Sequence, residues 1–222
     1  GGTGATGVLD EINALRTEAG LAALAWDADY AEAGIRHAGY QDVAGRITHV
    51  ETDTGNPWYV GERLGERIDA AKGGSFPDAP YFWGPGIDWV SEIITTMGSH
   101  GPGVDHLWNT VYHRQPLLRA ESQIVGGGHS GDSPVDNASP AYLTLEVGAY
   151  TGTAITLTAW PSDGSHSLAP SFATDTESPD PISSGNGNGT PDDNRVGGPL
   201  HVTVPTSAQI TGLTVSLDTA PR

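Results

Sequence analysis

The sequence predicts an α+β fold in which helices pack against an antiparallel sheet, and three observations predict it. Apolar residues recur at helical spacing through the first half of the chain, and strict apolar/polar alternation takes over beyond residue 140. The two patterns also do not alternate in the regular βα order that a parallel sheet requires.

The opening GGTGATG, residues 1–7, matches G-x-G-x-x-G only formally, because no strand precedes it, so it reads as a flexible tail. From Val8 the pattern is helical. Val8, Leu9, Ile12 and Leu15 recur at three and four residues, with Gly20 as the stop signal. Trp26 anchors a short apolar link, Asp27 is placed to cap a second helix, and that helix runs to about Val43. His37 lies on it beside Tyr30, Gly34 and Ala38 and reads as a packed histidine. Residues 44–61 hold no period and form a long loop carrying His49 and Glu51, the kind of loop that is usually functional or mobile. ERLGERIDAAKGG is a third, short helix closed by Gly73 and Gly74, followed by aromatics mixed with turns and an apolar run around Glu92. Val104, Leu107, Trp108 and Val111 sit at i, i+3, i+4 and i+7 between Gly103 and Pro116. A fourth helix is therefore expected to end near Tyr112–Gln115, leaving His113 where it runs out.

AYLTLEVGAY and AITLTAWP alternate with period two, so Leu143, Leu145 and Val147, then Ile155, Leu157 and Ala159, face one side of a sheet. After Trp160 the chain turns rich in Pro, Gly, Ser, Asn and Asp, and alternation returns only in PLHVTVP and AQITGLTVSLD. Two strands are too few to stand alone. Three units are thus expected: a tail over residues 1–7, a domain over 8–160, and a β extension over 161–222 that packs on the domain, begins a further β module or makes assembly contacts.

The chain has 27 acidic and 10 basic residues, a net charge of −17 spread along its length, which argues against a nucleic-acid groove. It has no cysteine, so any metal must be held by His, Asp, Glu or water. No apolar run reaches the ~18 residues of a membrane span, and no signal peptide is present, so a secreted protein would already have lost it.

His49, Glu92 and His113 are the candidate constellation, since each stands at the edge of an element and two imidazoles with a carboxylate suit zinc or a similar divalent ion. H-E-x-x-H and G-x-S-x-G are both absent, and no serine has a base at a diagnostic spacing. Arg114 reads as a structural partner for a carboxylate or carbonyl. A calcium site using Glu177, Asp180, Asp192 or Asp193 is a minor alternative, without a twelve-residue calcium loop to support it.

INALRTEAGLAALAWDADYAEAGIRHAGY, ITHVE, WVSEII, VDHLWNTVYHRQPLL and QIVGGG, in that order, resemble the motifs of the CAP superfamily, the SCP or cysteine-rich secretory protein-like domains, over roughly residues 8–160. The resemblance implies a three-layer α-β-α sandwich. It also implies a central cleft lined by the loop histidine His49, the glutamate Glu92 and the histidine His113, often with a bound divalent cation. Two departures stand out. S-E-I replaces G-E-N around Glu92, and the second acid of the family's two-His, two-Glu set has no clear counterpart. Asp105 is the substitute considered, although it also suits a first-turn acid favouring the helix dipole. His100 and His106 fall on no motif.

The reading that follows is a secreted or cell-surface domain binding a divalent cation, zinc first, and an unidentified small ligand or extracellular partner, with no nucleotide. An adhesive or assembly module working through residues 161–222, and a metal-assisted hydrolase in the same cleft, are the alternatives.

Overall fold

The computed structural model describes residues 5–74, 87–97, 100–132, 142–150, 158–161, 171–173, 195–197 and 200–203. The candidate calcium carboxylates Glu177, Asp180, Asp192 and Asp193, the alternating Ile155 and Leu157, and the run AQITGLTVSLD lie outside them.

Helix α1, Ala5–Glu18, buries Val8, Ile12 and Leu15, and Gly20 follows at φ +72°, in the left-handed region that glycine adopts without strain. Strand β1 is the two-residue Ala25–Trp26. Helix α2, Ala28–Ala44, starts where the Asp27 carboxylate accepts the Asp29 and Tyr30 N–H groups and ends on Gly45 at φ +65°. Helix α3, Leu64–Ala71, is followed by Gly73 and Gly74, both at positive φ. The apolar run around Glu92 is strand β2, Ile87–Thr95.

The expected fourth helix is two helices. Helix α4, His100–Trp108, stops, Thr110 takes extended φ/ψ, and α5 runs Val111–Leu118 with Pro116 inside it. Pro116 therefore does not end the helix as the sequence suggested. α5 restarts so late that only its first turn and a half precede the proline. His113 lies in the opening turn of a helix instead of at the end of one.

Strands β3, Ile124–His129, and β4, Leu143–Tyr150, complete a four-stranded sheet of order β1-β3-β4-β2. β2, β4 and β3 are antiparallel neighbours, and β1 joins β3 in parallel, so the sheet is mixed. Short strands β5 (Thr158–Trp160) and β8 (His201–Thr203) pair antiparallel, as do β6 (Ser171–Ala173) and β7 (Arg195–Gly197).

Both faces of the four-stranded sheet are covered, giving α-β-α layers. On one face Leu143, Leu145, Val147, Val125 and Ile93 pack with α1, α4 and α5 into the larger core. Trp108 and Trp160 meet there edge to face at 5.1 Å, which ties β5, and through it β8, to the domain. On the other face Tyr30 and Ala33 of α2 and Ile68 of α3 pack on Ile124. α2 approaches so closely that a Cβ on Gly126 would collide with the backbone of Asp27 and Ala31. Gly126 on the strand, with Gly34 of α2 facing the Gly127 Cα, is what lets the helix lie against β3. Among the described residues no helix is long and apolar enough to cross a membrane.

Candidate functional site

Period two puts Thr144, Glu146 and Gly148 of β4 on the face opposite the leucines, under α2. Register places Glu92 of β2 beside Glu146 on that face. α2 presents His37 and Gln41, one turn apart and both buried. Gln41 bridges layers, donating to Thr144 Oγ1 at 3.0 Å and accepting the Thr48 N–H at 3.2 Å. This begins to fix the long loop.

The loop is fastened further by polar bonds. The Tyr40 hydroxyl accepts the Thr52 and Asp53 N–H groups at 3.0 and 2.9 Å, and Asn56 donates to the Tyr40 carbonyl at 3.0 Å. Glu51 turns inward, fully buried, and its Oε1 lies 2.8 Å from His37 Nδ1 while Oε2 accepts the Val60 N–H at 3.2 Å. His37 Nε2 lies 2.6 Å from the Thr48 carbonyl, which can only accept, so both ring nitrogens are engaged. Nε2 also lies 3.7 Å from Glu92 Oε1.

Glu92, 4% exposed, is held from two sides: His49 Nδ1 at 2.7 Å from Oε1, and the buried Arg67 guanidinium, from α3, at 2.5 Å from Oε2. Arg67 also donates to the Glu62 carbonyl at 3.2 Å, and its Nε lies 3.9 Å from Glu51 Oε1. Burial alone would raise the Glu92 carboxyl, but Arg67 foremost, then His37 and His49, bring it down to about 2. Glu146 is the reverse case. Both its oxygens are buried without a geometrically formed hydrogen bond among the described residues, and burial first, then the charge and proximity of the Glu92 carboxylate, push it well above the ordinary carboxylate range, against the pull of Arg67.

Of the sequence candidates, His49 and Glu92 meet. His113 is half-buried on α5 with its Nδ1 3.2 Å from Thr110 Oγ1. Asp105 is exposed on α4, where its carbonyl accepts the Asn109 backbone and side-chain N–H groups. The acids beside Glu92 are instead Glu51 and Glu146. Arg114 donates to the Trp108 carbonyl, bracing the α4–α5 junction. Among the described residues no three His, Asp or Glu side chains are grouped as metal ligands.

The donor chemistry decides how a cation would fit. Glu92 has both oxygens engaged, one of them by a guanidinium, so it does not fit as a direct ligand. His49 does fit: with Nδ1 turned to Glu92, its Nε2 has no partner among the described residues and its side chain is 57% exposed. A carboxylate behind a histidine is the usual way of aiming the second ring nitrogen at a metal or a hydrogen-bond donor.

No curated protein matches this chain. Among solved structures it is similar to an extracellular protein containing an SCP domain from Bacillus anthracis str. Ames, with 21% identity over 65% of this chain and a TM-score of 0.48. It spans only 40% of the length of that protein. It is also similar to an outer surface protein from Borrelia burgdorferi, at 17% identity, over 64% of this chain and 90% of that one, with a TM-score of 0.47. The family model described as the cysteine-rich secretory protein family matches residues 9–147, the region that contains α2, the pinned loop, β2 and the first part of β4. The chain belongs to the CAP family.

Proposed function

We propose that this chain is a CAP-type binding module acting outside the cell, and that its ligand contacts the domain at His49. The observation that carries the reading is an exposed imidazole anchored at 2.7 Å to a nearly buried carboxylate. Anchoring removes the rotational freedom a surface histidine would lose on binding. It also presents Nε2 as the acceptor for a ligand N–H or O–H, or as the ligand of a divalent cation. When bound, a cation would supply a positive centre for an anionic or carbonyl group, with His49 holding it, His113 as the second imidazole, and Glu92 orienting His49 from behind. Binding is favoured over turnover because the charged groups behind His49 are engaged with one another and the chain carries no nucleophile motif.

Zinc is the probe for Nε2. Calorimetric titration at pH 7.5 is expected to show saturable binding in the native chain, lost in His49→Ala and weakened in His113→Ala, with thermal melts unchanged. Equal heats in the native chain and His49→Ala would refute the cation part and leave the tail-mediated assembly reading ahead.

A further inference from the structure

The antiparallel hairpin of β5 and β8 meets the domain through one of its two faces. Its register sets Thr158 opposite Thr203 and Trp160 opposite His201. Cross-strand partners share a face, so these four side chains lie on one side, with Ala159 and Val202 on the other. The first side is the one turned to the domain. Thr158 Oγ1 donates to the Leu118 carbonyl at the end of α5 at 3.3 Å, and Trp160 is fully buried, edge to face with Trp108 of α4. Ala159, on the other side, is exposed. His201 is thereby carried, half-buried, to the rim of the Trp108 contact.

The α4–α5 junction already holds a cation at that contact. Arg114 is 1% exposed and donates to the Trp108 carbonyl. Among the described residues it is the charged group that acts on the His201 ring. From β5 the ring has Trp160 directly across and Thr158 diagonally, and on its own strand Nε2 lies 3.0 Å from Thr203 Oγ1, all of them uncharged. Burial first, and then the Arg114 charge, hold His201 below the usual histidine value. A neutral imidazole suits this place. An imidazolium would lose part of its hydration beside a guanidinium that is itself buried.

We propose that the β5–β8 hairpin is an acid-released latch: a neutral His201 lets β8 close on β5 at the α4–α5 junction, and a proton on His201 sets β8 loose. Trp160 belongs to the larger core and keeps β5 anchored, so what is released is β8 and the chain that follows it. The undocked ring titrates at the ordinary histidine value near 6.5, and the docked ring titrates lower. Docking is therefore at full strength above about 6.5 and weakens as pH falls below it, because the undocked form takes up the proton that the docked form resists. The latch lies with α4 and α5, on the sheet face opposite the one that carries His49, and stands or falls independently of the binding reading.

The test is amide hydrogen exchange of the full chain between pH 7.5 and 5.0, each rate divided by the intrinsic exchange rate at that pH, on the native chain, His201→Gln, His201→Leu and His113→Gln. In the native chain, protection of the β5 and β8 amides is expected to fall with pH below about 6.5, by up to about tenfold per pH unit, the limit for one proton. Protection in α1 and β4 should stay level over the same range. His201→Gln and His201→Leu, which cannot take up the proton, should hold β8 protected throughout, and His113→Gln should keep the native profile. Unchanged β8 protection in the native chain down to pH 5.0 overturns the proposal. So does an acid loss that persists in the His201 variants or that disappears in His113→Gln. If both His201 variants are undocked already at pH 7.5, the ring holds the hairpin by its packing and not by its protonation state, and the proposal is equally overturned.

Discussion

Arg16 gives the sharpest quantitative test of how this domain is held together. Its side chain is fully buried, and its fork donates to four carbonyls: Ala22 at 2.8 Å, Leu117 at 2.5 Å, Arg119 at 3.1 Å and Ser122 at 3.2 Å. One residue of α1 thereby ties the α1–β1 turn to the end of α5 and the lead into β3. Arg16 is thus a structural keystone. Burial pulls its pKa down to about 10, so the charged form is already penalised, and the bonds must outweigh that penalty. Arg16→Met fills much of the volume but leaves the buried bonds to Leu117 and Ser122, and the part-buried ones to Ala22 and Arg119, without their donor. Hydrogen bonds to charged groups contribute about 1.5–3 kcal/mol each, and removing the desolvation penalty returns part of the sum. A net loss of about 3–5 kcal/mol is expected, and a domain of this size loses about 2–4 °C of Tm per kcal/mol, so the melt should fall by about 10–15 °C. Arg16→Lys should fall between, since an ammonium cannot span the four acceptors. Circular-dichroism melts at pH 7 decide it. A shift in Arg16→Met of less than about 3 °C would show that water or backbone rearrangement replaces the guanidinium, and the keystone argument would be wrong.

Glu146 and Glu92 should pull the pH dependence in opposite directions. The raised carboxyl of Glu146 contributes stability that is complete below its unfolded value near 4.5 and fades as pH rises toward its folded value, so Glu146→Gln should melt above the native chain at pH 8 and converge with it near pH 4. Glu92, folded value about 2, contributes fully above 4.5 and loses that contribution as pH falls toward 2; native melts should therefore show an acid limb that is flattened in Glu92→Gln. Glu92→Gln should also cost about 3–5 kcal/mol at pH 7, because it strips the buried Arg67 of its carboxylate. Gly126→Ala should leave little folded protein in a solubility and melt assay, since its Cβ would meet helix backbone that cannot move aside. Gly45→Ala, at a positive-φ helix cap with open space around it, should cost only about 1 kcal/mol.

The helices and caps were legible where the signal is local. Asp27, Gly20, Gly73 and Gly74 act through their own backbone or the next three residues, and they mark ends the structure has. The α4–α5 break was not legible. The apolar stripe of Val104, Leu107, Trp108 and Val111 is continuous in sequence, and what interrupts it is Thr110 turning extended, with its hydroxyl donating to the Leu107 carbonyl. The site was half legible for a related reason. Alternation in LTLEVGAY separates Leu143, Leu145 and Val147 from Thr144 and Glu146, but period two cannot tell whether the polar face meets water or a second layer of helices. Because α2 covers that face, Glu146 is a buried acid beside Glu92, a position that alternation alone does not reveal.

The arrangement also accounts for how a loop of some twenty residues keeps a defined shape. Most of residues 43–55 are exposed, and the loop buries few apolar side chains of its own. What orders it is polar: Gln41 on Thr48, Tyr40 on Thr52 and Asp53, His37 on Glu51, and Arg67 beneath the His49 carbonyl. These donors and acceptors belong to α2 and α3, whose positions are set by the apolar contacts of Tyr30, Ala33 and Ile68. The two apolar cores fix the layers, and the buried polar side chains of His37, Tyr40, Gln41 and Arg67 then fix the loop that carries His49. Disturbing them should therefore release the loop before it unfolds the domain. Amide hydrogen exchange would read this directly as lost protection at Glu51 and Val60, with α1 and β4 unchanged, in a folded Gln41→Ala or His37→Ala variant. Exchange that rises uniformly through α1 and β4 would mean the loop fastening and the cores are one cooperative unit.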